Sequence, residues 1–279
     1  MLEAKALDDP EKLAALRTLI DLVPTTYLFD KKLFLFTALK AVNYSLRHGN
    51  APISAVGFVV YGVVSVGMDN FKRGYEFGRM AIELAERSKD PSIISKVIWI
   101  FAAMILSWRD PIDESFALFE RARRLALDVG DHQYVNYVII SIIFAMITSG
   151  KSLNDVLRVC EEHGPFVLHS KDVAHTEFVT MCKNHALALQ GKTVAPYLLN
   201  DGAYDESASE LRFHRTGNLT FVFYQVLLRL KLACRFGRFE EALALSDKSE
   251  AVIKAVAGFP QVADHYLYRG LAAAVARPR

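Results

Sequence analysis

Two kinds of apolar spacing alternate along the chain. Stretches such as Ser92–Trp108 and Tyr134–Thr148 are apolar on nearly every side; Val97–Leu106 is uninterrupted and Val138–Ile147 is broken only by Ser141. Between them lie stretches such as Ile112–Val129. There Phe116, Phe119, Ala122, Leu125, Ala126 and Val129 recur mostly every three or four residues, and Glu120, Arg121 and Arg124 fill the other side. The second spacing predicts a helix with one buried stripe, the first a helix covered by neighbours on both flanks. Short turns separate the two kinds: Lys89-Asp90-Pro91, Arg109-Asp110-Pro111, Gly130-Asp131 and Ser149-Gly150-Lys151. Glycine and proline at such points stop helices and restart them.

The alternation repeats. Arg73–Gly78, Glu114–Phe119 and Asp155–Cys160 align without gaps at intervals of 41 residues, and the partner helices start near Pro91, His132 and Val173, at the same interval. One helix hairpin cannot bury its own apolar surface, but stacked hairpins share one continuous core. The expectation is an all-α chain of about six helix pairs, wound as a right-handed alpha-alpha superhelix and forming a single repeat domain over residues 1–279. The pattern weakens in Thr193–Glu210, where Pro196, Gly202 and Asp205-Glu206-Ser207 predict an irregular break near 193–216, before a fresh helix at about Gly217–Arg235. The last helix, Gln261–Ala276, carries no polar capping repeat after it, so the chain is expected to be a piece of a longer one or to pack its end on a partner.

Gly237-Arg238-Phe239-Glu240-Glu241-Ala242-Leu243 has the Gly-x-aromatic-x-x-Ala-Leu opening of the second helix in a tetratricopeptide pair, and Asp69–Tyr75 is a looser version. Together with Lys40–Asn50, Tyr61-Gly62, Arg73–Gly78, Ser107-Trp108-Arg109 and Arg215-Thr216-Gly217, this makes the chain resemble the helical middle region of very large bacterial signalling proteins. The resemblance runs from about Leu33 to Leu271 and lapses over Val156–Glu210. Those proteins carry an AAA-like signal-transduction ATPase before this region, often with a serine/threonine kinase at the N-terminus, and sensor modules and often a histidine kinase after it. The resemblance implies a tetratricopeptide-like (TPR-like) regulatory, protein-binding solenoid whose catalytic modules lie outside these residues.

Composition agrees with helices: 52% of the 279 residues are hydrophobic, with 15 glycines and 9 prolines. The net charge is +2 with the signs interspersed, which offers no electrostatic reason to expect nucleic acid or a membrane as partner. Three cysteines do not make a disulfide framework, and Met1–Lys5 shows no secretory pattern, so a cytoplasmic setting is expected. The two long apolar runs fall short of the roughly 20 residues that span a bilayer and read as buried core helices.

Few residues suggest chemistry. Gly191-Lys192-Thr193 and Gly150-Lys151-Ser152 imitate the end of a phosphate-binding loop, but Ala186 and Ala145 stand where its first glycine belongs, and Val179–Gln190 reads as helix rather than strand. Both are expected to be helix-ending turns. Cys160/His163 and Cys182/His185 share a spacing that could offer a tetrahedral zinc site; the plainer reading is core cysteines, with His163 at a helix end before Gly164-Pro165. His214-Arg215, Lys171-Asp172 and His175 lack a nucleophile with an ordered base and read as turn or surface residues. No catalytic residue, cofactor or metal is expected.

What remains is a binding surface. Lys96, Trp99, Trp108, Arg109, Asn136, Tyr137, Asn184, Tyr224 and Gln225 are polar or large groups on the first helices of pairs, the helices that would line a groove for a protein or peptide. Trp99, Trp108 and Tyr224 also read as plain core residues. The functional expectation is a non-catalytic regulatory segment relaying partner binding to attached ATPase, kinase or sensor domains. The alternative is a stand-alone peptide-binding adaptor.

Overall fold

The computed structural model describes residues 5–276, and among them lie thirteen α-helices and no strand, only an isolated bridge between Ala6 and Asn50. The helices are α1 (Pro10–Phe29), α2 (Lys31–His48), α3 (Ser54–Gly67), α4 (Phe71–Ser88), α5 (Pro91–Met104), α6 (Ser115–Asp128) and α7 (His132–Thr148). They continue as α8 (Leu153–His169), α9 (Val173–Leu189), α10 (Glu206–Arg215), α11 (Leu219–Arg235), α12 (Phe239–Val252) and α13 (Gln261–Ala276). Two compact units divide the chain: one takes the residues up to Val138 with Gly258–Pro260, the other Ile139–Ala257 and the chain from Gln261.

The helix starts carry the repeat of 41 residues. Helices α5, α7 and α9 begin at Pro91, His132 and Val173, each directly after an aspartate: Asp90, Asp131 or Asp172. Each carboxylate accepts a hydrogen bond from a backbone N–H of the first turn: Asp90 from Ser92 (2.9 Å), Asp131 from Tyr134 (3.3 Å) and Asp172 from His175 (3.1 Å). These bonds satisfy donors that a helix cannot satisfy internally. Before each aspartate the chain turns through the left-handed region, at Lys89 (φ 56°), Gly130 (φ 69°) and Lys171 (φ 57°). A left-handed residue followed by an N-cap closes one helix and opens the next within two residues.

In the first unit α1 packs on α2 and α3, α3 on α4 and α5, and α5 on α4 and α6. Helices α3 and α4 approach each other closely at two glycines. A Cβ on Gly62 would lie 2.9 Å from the Gly74 carbonyl oxygen, and a Cβ on Gly74 would lie 2.9 Å from that of Gly62 and 2.6 Å from a Val66 methyl carbon. Phe58, Val97, Ile98 and Phe101 fill the interior between these helices. The stretch Pro91–Trp108 is long and apolar enough by composition to cross a membrane, yet 67% of it is buried inside the protein. The predicted helix Ser92–Trp108 is interrupted: α5 stops at Met104 and a 3-10 turn covers Leu106–Trp108. Likewise the predicted Ile112–Val129 opens as a 3-10 turn at Ile112–Glu114, after Pro111, before α6 begins.

In the second unit α11 is central, touching α9, α10, α12 and α13, and α8 packs on α9. Two expectations need correction here. Helix α8 does not end at His163; it runs through Gly164-Pro165 to His169, and the His169 ring lies 2.7 Å from the Pro165 carbonyl oxygen. The irregular segment is shorter than 193–216, because α10 already occupies Glu206–Arg215. Asp205 caps α10 by accepting from Ser207 and Ala208, and Arg212 and Arg215 supply cations at its C-terminal end, where the helix dipole favours them.

Candidate partner-binding surface

The nine predicted surface residues separate into an aromatic shelf, the pair Trp108 and Arg109, and a set of internal ties. The shelf lies in the first unit, on α5 and the start of α7. Trp99 stacks on Tyr137 with ring centres 5.0 Å apart and 19° between planes, and meets Tyr134 edge-on at 5.5 Å. Lys96, one turn earlier on α5, holds its ammonium 3.4 Å from Asp131 and 5.0 Å from the Tyr134 ring centre. The N-cap aspartate of α7 therefore also positions the lysine. Tyr134 is buried and its hydroxyl is held protonated, chiefly by desolvation. Trp99, Tyr137 and Lys96 are half-buried, so each keeps part of its face toward solvent. Gln133 donates to the Tyr137 hydroxyl at 2.8 Å. Asn136, between these aromatics in sequence, points inward and is 2% exposed.

Trp108 and Arg109 lie elsewhere in the same unit. The Trp108 indole stacks on Phe71 (5.0 Å, 15°) and donates to the Gly258 carbonyl at 2.7 Å. Arg109 is exposed, with its guanidinium 4.7 Å from the Tyr75 ring centre.

The three remaining residues are interior ties of the second unit. Tyr224 is buried against Phe144 (4.5 Å) and Phe178 (5.3 Å). Asn184, fully buried on α9, donates to the Leu199 carbonyl at 2.7 Å, and Gln225 donates to the Glu206 carbonyl at 2.6 Å. Asn184 holds the irregular segment 190–205 to α9, and Gln225 ties the first residue of α10 to α11. The residue that organises this region is Glu206, within the stretch whose composition predicts an irregular break. Its carboxylate accepts from the Leu199 N–H at 2.9 Å and pairs with Arg229, which reaches Glu241 at 2.6 Å. A buried carboxylate is tolerated because each of its oxygens meets a donor.

The other candidates also have structural roles. Gly150 and Gly191 both take φ 70° at helix ends, and the chain before Gly191 is α9 rather than a strand. His175 sits 2.7 Å from Asp172, a bond that holds the Asp172 carboxyl below the usual range and fixes the start of α9. Cys160 lies at a shallow groove of about 350 Å³ between α8 and α9, which Lys183, Thr176 and Pro165 also line, and burial pushes its thiol up to about 12. Cys182 and His185 are buried behind it, and among the described residues no three His, Cys, Asp or Glu side chains converge as metal ligands. One trio not singled out in the sequence resembles a hydrolase triad: His265 lies 2.8 Å from the Ser249 hydroxyl and 2.7 Å from the Glu250 carboxylate. Ser249 and His265 have no exposed surface, so the trio ties α13 to α12.

No family model matches the chain. Over 184 residues, 65% of its length, it is 23% identical to the hybrid signal transduction histidine kinase G of Dictyostelium discoideum. The match spans 5% of that protein, so the chain is similar to a small part of a much larger signalling polypeptide.

Proposed function

We propose that this chain is a non-catalytic, protein-binding regulatory segment of a signal-transduction protein, built as a right-handed superhelix of about six TPR-like helix pairs. The observation that carries this reading is its distant similarity to a small part of a hybrid signal transduction histidine kinase. The 41-residue register of helix starts, with an aspartate cap at each, supports the repeat architecture. The Lys96–Trp99–Tyr137 shelf supports the binding role: half-buried aromatics beside a held cation are the kind of anchor that dominates protein interfaces. Such a segment relays partner binding to attached ATPase, kinase or sensor modules.

The discriminating observation is the coding sequence on either side. An in-frame ATPase or kinase module supports the relay. Stop codons on both sides, with a stable monomer in solution, would replace it with a stand-alone peptide-binding adaptor. Hydrolysis of ATP by the purified chain would overturn both.

A further inference from the structure

Helix α2 differs from its counterpart α4. The exposed side of α4 carries both signs of charge, Lys72, Arg73, Glu76, Arg79, Glu83 and Arg87, and none of its large apolar side chains is prominently exposed. That is an ordinary solvated face. On α2 the exposed side carries Leu33 (47% exposed), Leu35 (40%), Phe36 (60%), Leu39 (38%) and Leu46 (51%). Its exposed charges are Lys32, Lys40 and Arg47, and the helix contains no aspartate or glutamate. Among the described residues no carboxylate pairs with these three cations. Exposed apolar side chains scattered singly need no explanation, but several on one helix face mark a contact surface.

We propose that this face of α2 docks an acidic amphipathic helix from a partner protein. The charge pattern sets the chemistry. The one carboxylate at this helix, Asp30, is spent on capping its N-terminus, where it accepts from the Lys32 and Leu33 N–H groups. Three unpaired side-chain cations therefore call for a partner with carboxylates, and like charges disfavour a second copy docking through the same face. The arrangement sets the partner's form. Going round the exposed arc, Lys32, Phe36, Arg47 and Lys40 intermingle, whereas a helix lying on a lipid surface separates its apolar side from its cations. From Lys32 to Arg47 the face runs about 22 Å, four turns of a docked helix with apolar residues three and four apart. This surface is separate from the Trp99 shelf, and the inference does not rest on the relay.

The test uses the full chain and two synthetic peptides of about 18 residues, each with leucines at helical spacing and flanked by glutamates in one and by lysines in the other. The glutamate peptide should bind at least about tenfold tighter. Lys32→Glu/Lys40→Glu/Arg47→Glu should reverse that preference, and Phe36→Ala/Leu39→Ala should weaken binding with helicity unchanged by circular dichroism. Trp99→Ala should leave the preference intact. Equal affinity for the two peptides, no binding of either, or a preference that survives the charge reversal would overturn the proposal. So would pelleting with vesicles of phosphatidylcholine and about 30% phosphatidylserine in place of peptide binding, which would reassign the face to a lipid surface.

Discussion

At the scale of single residues, the interior is specified by groups that tolerate little change. Gly74 is one. An alanine there would press its methyl group against Val66 and the Gly62 carbonyl, both held by packed helices. Gly74→Ala should therefore destabilise the protein by about 1–3 kcal/mol in urea denaturation, despite alanine's better helix propensity. His185 is another. Burial first, then the positive charges of Lys231 and Arg235, lower its pKa to about 3, against the bond to the Leu228 backbone that works the other way. Below the ordinary histidine value of about 6.5, the unfolded chain takes up a proton that the folded chain refuses. The contribution of His185 is thus complete above about pH 6.5 and falls by up to about 1.4 kcal/mol per pH unit as the solution is acidified toward pH 3. Unfolding measured at pH 7 and pH 5 should show a loss of about 2 kcal/mol that His185→Gln lacks. An equal slope in the variant would remove His185 as its source.

At the scale of helices, the turns decide where each element begins. Lys89 and Lys171 occupy the left-handed position that Gly130 fills at the equivalent turn. Side chains there cost free energy that glycine does not. Lys89→Gly and Lys171→Gly should each raise stability by about 0.5–1 kcal/mol, whereas Gly130→Ala should lower it by a similar amount, all read by chemical denaturation. Much of this level was legible in the sequence. The interval of 41 residues, the starts at Pro91, His132 and Val173, and the last helix Gln261–Ala276 follow from apolar spacing and caps alone. The misses have physical causes. Pro165 marks a helix end by rule, yet α8 continues through it. The stretch around Glu206 reads as a break because Pro196 and Gly202 precede it and because its buried partner, Arg229, lies 23 residues along the chain, a relation that only the fold shows. The Asp205 cap stands directly beside it in sequence.

At the scale of the whole molecule, the sequence listed candidate surface residues without separating their roles. Large polar residues on a first helix can face a groove or the interior, and spacing alone does not distinguish Trp99, which keeps a solvent-facing side, from Tyr224, Asn184 and Gln225, which are buried ties. The aromatic shelf of Trp99, Tyr134 and Tyr137 became visible only once Asp131 was seen to hold Lys96 beside it. Under the proposed function, this shelf is the place where a partner acts on attached signalling modules. Where the coding sequence places a kinase module in frame, the most direct test is the rate of phosphotransfer by that whole polypeptide, compared with its Trp99→Ala and Tyr137→Ala variants at matched helicity. Loss of an interface anchor costs roughly 1–2 kcal/mol, so the rate should change by about fivefold or more at sub-saturating partner. A rate identical to that of the unmodified protein in both variants would contradict that role.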